Sequence, residues 1–197
     1  GKSMAGANPE GAREVYSQVL ALDPQIDEAR LGVARANMRL GKFDEALATL
    51  DERAGCRGCE RLMAVLLYDR GQQFIANGEL EKARVDFEQA LKLRSDGLAA
   101  LGIVETYALA DAGALAVEAM ERALESIASD DQQAQAKFSE LRRKLVVAAA
   151  SQRNQALIDR YMAMRPPGAG GDEWCSLQLA VAEANYVQDD ADEAIDR

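Results

Sequence analysis

The stretch AGCRGCERLM, residues 54–63, holds Cys56 and Cys59, two of the chain's three cysteines. A Cys-x-x-Cys pair can exchange electrons as a dithiol and disulfide, supply half of a metal site, or serve as two small residues in a turn. A structural zinc ion takes four ligands. Only distant Cys175 could add to the pair, and the chain has no histidine, so no metal is expected. A redox role draws on the position of Cys59 at the start of a helix predicted for CERLMAVLLYDRG, where the helix N-terminus lowers a thiol pKa. Against it, redox pairs of this spacing usually sit where a strand meets a helix, and no strand is apparent. The main expectation is two small residues in a widened inter-helix loop. A redox-responsive Cys56/Cys59 pair is the alternative, and a local disulfide in an oxidising compartment fits either.

The rest of the composition excludes more than it offers. The absence of histidine removes the usual general base and the usual metal ligand. Ser-His-Asp, Cys-His and His-Glu-x-x-His arrangements are impossible, so no catalytic residues, enzyme activity or cofactor are expected. A net charge of −10 and a pI near 4.6 oppose nucleic acid, whose binding rests on lysine and arginine neutralising phosphates. They equally oppose an anionic membrane surface. No run of 18 apolar residues is present, so no membrane insertion is expected. Apolar residues make up 48% but aromatics only 5%. The apolar content is therefore mainly alanine, leucine and valine, the first two strong helix formers. The opening GKS lacks the upstream glycine and strand of a phosphate-binding loop. Residues 1–7 are read as disordered or as a cloning remnant.

An internal repeat organises the chain. GAREVYSQVLALDP (11–24), GKFDEALATLDERA (41–54) and GELEKARVDFEQALKL (78–93) share a small residue, three intervening positions and a bulky residue. Ala12, Ala46, Ala83 and Ala116 follow at steps of 34, 37 and 33, each with Tyr16, Leu50, Phe87 or Met120 four residues on. Alanine allows two helices to approach closely, and the bulky side chain one turn later fills the space beside it. Gly41 and Gly78 suit the left-handed residue that ends a first helix. Each unit thus reads as two antiparallel helices.

These residues resemble the tetratricopeptide repeat family, whose pattern is Trp-x-x-Leu-Gly-x-x-Tyr on a first helix and Ala-x-x-x-Phe on a second. Ala83 and Phe87 match the second-helix part, Gly71 and Phe74 match Gly-x-x-Tyr, and GKFDEAL (41–47) is similar to the family's turn. Trp174 to Leu177 repeats the Trp-x-x-Leu opening, and DDADEAI (189–195) is similar to a turn into another second helix. The resemblance implies an all-α, right-handed superhelical solenoid of antiparallel helix pairs. Its repeats are placed at 8–26, 27–60, 61–96 and 97–128, followed by a divergent helix pair at 129–167 and a truncated further repeat at 168–197. Pro166-Pro167 is read as a stop, and 166–172 as a turn. The chain opens and closes inside repeats, and solenoid ends need capping, so a piece of a longer, bacterial protein is expected. The compartment is read as cytoplasmic, with the periplasm as the alternative.

The resemblance also implies a function. First helices of this family line a concave groove that binds a peptide or helix of a partner protein, so a protein-binding scaffold or adaptor is expected. The candidate groove residues are Leu31, Arg35, Met38 and Arg39, then Tyr68, Asp69, Gln72 and Ile75, then Leu101, Glu105 and Ala108. Arg35 and Arg39 share a helix face and could receive a carboxylate, or be balanced by Glu28 or Asp44. Tyr68 could contact a partner or pack between helices. The lysine- and asparagine-rich clamp with which some relatives hold acidic tails is not matched, because Leu31, Arg35 and Asp69 occupy its places. The rival to partner binding is self-association into a homo-oligomer.

Overall fold

A computed structural model describes residues 8–51, 55–94, 96–165 and 171–195. The expectations placed on residues 1–7 and on Pro166-Pro167 lie outside them. The described residues form ten helices and no strand: α1 (Pro9–Leu22), α2 (Asp27–Arg39), α3 (Phe43–Asp51), α4 (Cys59–Ala76), α5 (Leu80–Leu93), α6 (Gly97–Leu109), α7 (Gly113–Ser126), α8 (Gln132–Ser151), α9 (Gln155–Ala163) and α10 (Gly171–Ile195). They fall into two units, residues 1–95 and 96–197. In the first unit each helix packs on the next, from α1 to α5. In the second, α6 packs on α7 and α8, α7 on α9, and α8 on α9 and α10.

Local sequence explains where several helices start. The side chain of Asn8 accepts a hydrogen bond from the Gly11 N–H at 3.0 Å, and Pro9 occupies the first helical position. Asp96, Asp131 and Asn154 cap α6, α8 and α9 in the same way, at 2.9, 2.9 and 3.2 Å. Each cap satisfies a backbone donor that has no partner within its helix.

One turn recurs at the end of α2, α4, α6 and α8. The N–H groups of Lys42, Glu79, Ala112 and Asn154 donate to the carbonyls of Asn37, Phe74, Tyr107 and Ala149, at 2.9, 2.8, 2.9 and 2.9 Å. This bond closes a helix only when the preceding residue is left-handed. That residue is Gly41 (φ +71°), Gly78 (φ +77°), Asp111 (φ +53°) or Arg153 (φ +52°). Each turn reverses the chain, so the following helix lies antiparallel on the one before. In the second unit, Gln152 Nε2 donates to Asp111 Oδ1 at 3.0 Å and ties two such turns together.

The spaced alanines and their bulky companions fill the cores. Ala46, Ala83 and Ala116 are inaccessible to solvent, as are Phe87 and Met120, and Leu50 is nearly so. In the first unit two rings lie directly on glycines. A Cβ at Gly32 would fall 2.5 Å from the Tyr16 ring, and one at Gly71 would fall 2.6 Å from Phe87 Cε1. Gly32 and Gly71 are therefore seats for aromatic rings. In the second unit the Tyr161 hydroxyl donates to the Gly113 carbonyl at 3.0 Å, joining α9 to α7. Arg142, buried on α8, donates to the Met164 carbonyl and pairs with Glu173 of α10.

One boundary differs from expectation. Helix α10 runs without interruption through Asp189 and Asp190, where a turn into a further helix was anticipated. Between Gly171 and Ile195 the sequence has no further glycine and no proline. The glycine that ends α2 and α4 has no counterpart there.

Two outcomes follow. Gly71→Ala, which in an open helix would stabilise by about 1 kcal/mol, should here destabilise the first unit by about 1–3 kcal/mol through overpacking. The loss should shrink in Gly71→Ala/Phe87→Leu, as measured by thermal unfolding. Burial pushes the Tyr161 hydroxyl from 10.0 up to about 12. The folded state holds that proton more tightly than the unfolded state. Its contribution is therefore complete below pH 10 and lost as pH rises toward about 12. Alkaline unfolding monitored by circular dichroism should lose this component in Tyr161→Phe.

Candidate protein-binding strip

Helix α4 is set by a buried ion pair. Arg70 Nε and Nη2 both donate to the Asp86 carboxylate on α5, each at 2.7 Å, and Arg70 also pairs with Asp44 of α3. Asp86 is 3% exposed, so the pair lies inside the helix interface. Asp86, followed by Asp44, holds the Arg70 guanidinium above its ordinary pKa despite burial. The guanidinium also lies 5.8 Å from the centre of the Phe74 ring. With Arg70 committed to α3 and α5, the side chains beside it on α4 are carried to other faces of the helix.

Those neighbours are the candidate residues of α4. The Tyr68 ring packs on Phe87 with centroids 5.7 Å apart. Ile75 is half-buried. Asp69 is half-buried too, and burial pushes its carboxyl above the usual carboxylate range. No cation or side-chain donor meets that carboxylate among the described residues. Three residues on, Gln72 Nε2 is buried with no acceptor among them. A polar group removed from water normally finds a partner, so Gln72 stands out.

Helix α2 touches α4 and is fixed by Arg30. Its Nη1 donates to the Thr49 carbonyl at 2.7 Å and its Nη2 to the Pro24 carbonyl at 3.2 Å. Leu31 and Met38 are half-buried against a cluster that includes Ala34, Leu62 and Leu66. Arg35 and Arg39 are exposed, with no ion pair among the described residues. Asp44, weighed as their counter-charge, is engaged by Arg70 instead.

In the second unit the anticipated site residues do something else. Leu101 is inaccessible to solvent and offers no surface to a partner. The reason is that α6 lies between α7 and α8 and buries more than one face. Glu105 pairs with Lys137 of α8 at 2.7 Å, and Ala108 is half-buried.

The cysteines are not two separate small residues. Cys56 and Cys59 form a disulfide, with Cα atoms 5.5 Å apart. They belong to the buried cluster of Ala34, Ala46, Leu50, Leu62 and Leu66. Gly55 and Gly58 take φ values of +78° and +87°, and the Arg57 N–H donates to Asp27 Oδ2 at 3.0 Å. A ring this small removes only about 2 kcal/mol of chain entropy, so the bond acts locally, at the junction of α2, α3 and α4. Cys175 is exposed and unbonded.

Sequence reasoning missed the Arg70–Asp86 pair, and buried Arg30 and Arg142 with it. A signal for the first was present. Each member directly precedes a core landmark, Gly71 or Phe87, on helices that must face each other.

Two family models, both described as tetratricopeptide repeat, match residues 4–54 and 64–96. Residues 4–54 and 64–96 thus carry tetratricopeptide repeats, and the described residues have the all-helical fold of such repeats. It is similar to a solved structure of MamA, with 17% identity and a TM-score of 0.53 over 89% of this chain and 91% of that one. It is also similar to BtubC (BKLC) from P. vanneervenii, with 17% identity and a TM-score of 0.54 over 97% and 87%. At such identities the likeness shows the fold. No curated protein sequence matches significantly. The repeats make the chain a protein–protein interaction scaffold. Among the described residues, no helix is long and apolar enough to cross a membrane.

Arg70→Ala should cost the first unit about 3–5 kcal/mol, because it leaves Asp86 buried and unpaired. Arg70→Met/Asp86→Leu, which removes both charges, should recover most of that in thermal unfolding.

Proposed function

We propose that the first unit recognises a segment of a partner protein along the strip formed by Leu31, Arg35, Met38 and Arg39 of α2 and Tyr68, Asp69, Gln72 and Ile75 of α4. The observation that carries this reading is the unmet pair on α4. Gln72 Nε2 is buried with no acceptor among the described residues. The half-buried Asp69 carboxylate, pushed above the usual carboxylate range by burial, meets no cation among them, although Arg70, beside Asp69 on the same helix, is fully matched. Folding alone gains nothing from such groups, whereas a partner that supplies a donor to Asp69 would recover the loss. The half-buried Leu31, Met38 and Ile75 offer seats for apolar anchors, and exposed Arg35 and Arg39 can take a carboxylate. A net charge of −10 favours a protein segment of mixed or basic charge over a nucleic acid. The mechanism is recognition without chemistry on the bound segment.

The test compares Asp69→Asn and Arg35→Glu/Arg39→Glu with the parent chain in affinity capture from the source lysate. Asp69→Asn should raise the thermal midpoint, since it removes a desolvated charge, while capture falls about tenfold, equivalent to about 1.4 kcal/mol. The arginine variant should keep its helical signal and lose the partner. Equal capture by all three chains would overturn the strip. Recovery of the chain alone would make self-association the better reading.

A further inference from the structure

We propose that Cys56–Cys59 is a thiol–disulfide exchange site, a substrate for a small dithiol reductant, whose opening loosens the start of α4 while leaving α5 in place. Two features of the junction carry this. The bond joins the loop directly to the first residue of α4, Cys59, and both sulfurs lie in the cluster that seats α4 on α2 and α3. Among the described residues, the loop around it carries two glycines in left-handed conformations, the bond from the Arg57 N–H to Asp27 and the bond from the Cys59 N–H to the Cys56 carbonyl at 3.3 Å.

The two sulfurs are also unequal, which gives the exchange a direction. Cys59 sits at the N-terminus of a helix of 18 residues, where the aligned peptide dipoles stabilise a thiolate. Cys56 lies in the loop between exposed Gly55 and Arg57 and is the more accessible of the two, at 8% against 4%. The better leaving group in disulfide exchange is the more stable thiolate. A reductant thiolate therefore attacks Cys56 Sγ, the Cys56–Cys59 bond breaks, and Cys59 departs as thiolate. The reductant's second thiolate then attacks its own sulfur in the mixed disulfide, and Cys56 leaves as thiolate. The protein gains two electrons and, on protonation, two protons, while the dithiol becomes a cyclic disulfide. Reversal needs a disulfide oxidant.

Once open, the two sulfurs must separate to non-bonded distance inside a close-packed cluster. The displacement falls on the first turns of α4, next to Leu31, whose Cδ1 would lie 3.7 Å from a Cβ at Gly58. The exchange stands apart from the partner-binding reading. Only its consequence for binding rests on that reading, through Tyr68, Asp69 and Gln72 further along the same helix.

The experiment uses the full chain carrying Cys175→Ser, which removes the exposed thiol. The native chain is treated with dithiothreitol, alkylated with iodoacetamide and weighed, with glutathione in parallel to trap the mixed disulfide. Two alkylated thiols are expected while the helical signal is intact, with the glutathione adduct on Cys56. Hydrogen exchange of the amides at 59–68 should quicken about tenfold on reduction, and those at 80–93 should change little. Cys56→Ser/Cys59→Ser/Cys175→Ser should show the same exchange pattern without any reductant. A pair that opens only on unfolding, an adduct on Cys59, or unchanged exchange at 59–68 would each overturn the proposal.

Discussion

Four of the helix pairs, α2–α3, α4–α5, α6–α7 and α8–α9, each depend on a single left-handed residue. A helix ends with carbonyls that have no partner of their own, and a residue at positive φ turns the following N–H back onto one of them. The bonds from Lys42 to Asn37, Glu79 to Phe74, Ala112 to Tyr107 and Asn154 to Ala149 are four copies of that solution. Without the reversal, the alanines would have no helix to approach and the bulky residues no space to fill. Glycine adopts the conformation freely. At Asp111 and Arg153 a side chain is carried into it, at a cost of about 1–2 kcal/mol, which the surrounding contacts offset. The link from Gln152 to Asp111 is one of these.

Polar groups inside the helical layers serve two ends. Arg70 with Asp86, Arg142 with Glu173, and Arg30 with two backbone carbonyls each fasten one helix to another. Their directionality sets how helices register, which nonpolar contact alone leaves loose. Buried Gln72 Nε2 and the half-buried Asp69 carboxylate are the opposite case, polar but unmatched among the described residues. On one helix, then, a matched charge faces the core and an unmatched one faces the proposed partner.

The disulfide belongs to the junction more than to global stability. Its ring encloses only two residues, so it constrains the unfolded chain little. What it does is hold the first residue of α4 to the preceding loop within an apolar cluster. The sequence left this open, since a cysteine between glycines reads equally as a small apolar residue and as one end of a bond.

The all-helical class, the repeat spacing and the core companions Leu50, Phe87 and Met120 were legible from residue types alone. An alanine and a bulky residue four positions apart face the same way on any helix. The turns at Gly41 and Gly78 were legible because glycine is the residue that adopts positive φ without strain. The equivalent turns at Asp111 and Arg153 were not, since aspartate takes positive φ far less readily than glycine and arginine has no bias toward it, and the pattern faded from the sequence around the second of these. Leu101 shows the other limit. Helical periodicity identifies a face, but it does not say which neighbour covers that face, and α7 and α8 both pack on α6. The sequence by itself determined which residues can sit side by side on one helix. Only the tertiary structure decided which of them meet another helix, as Asp86 meets Arg70, and which, like Asp69, meet no partner among the described residues. The physical reason is that pairing depends on distances between segments far apart in the chain, and local periodicity carries no information about them.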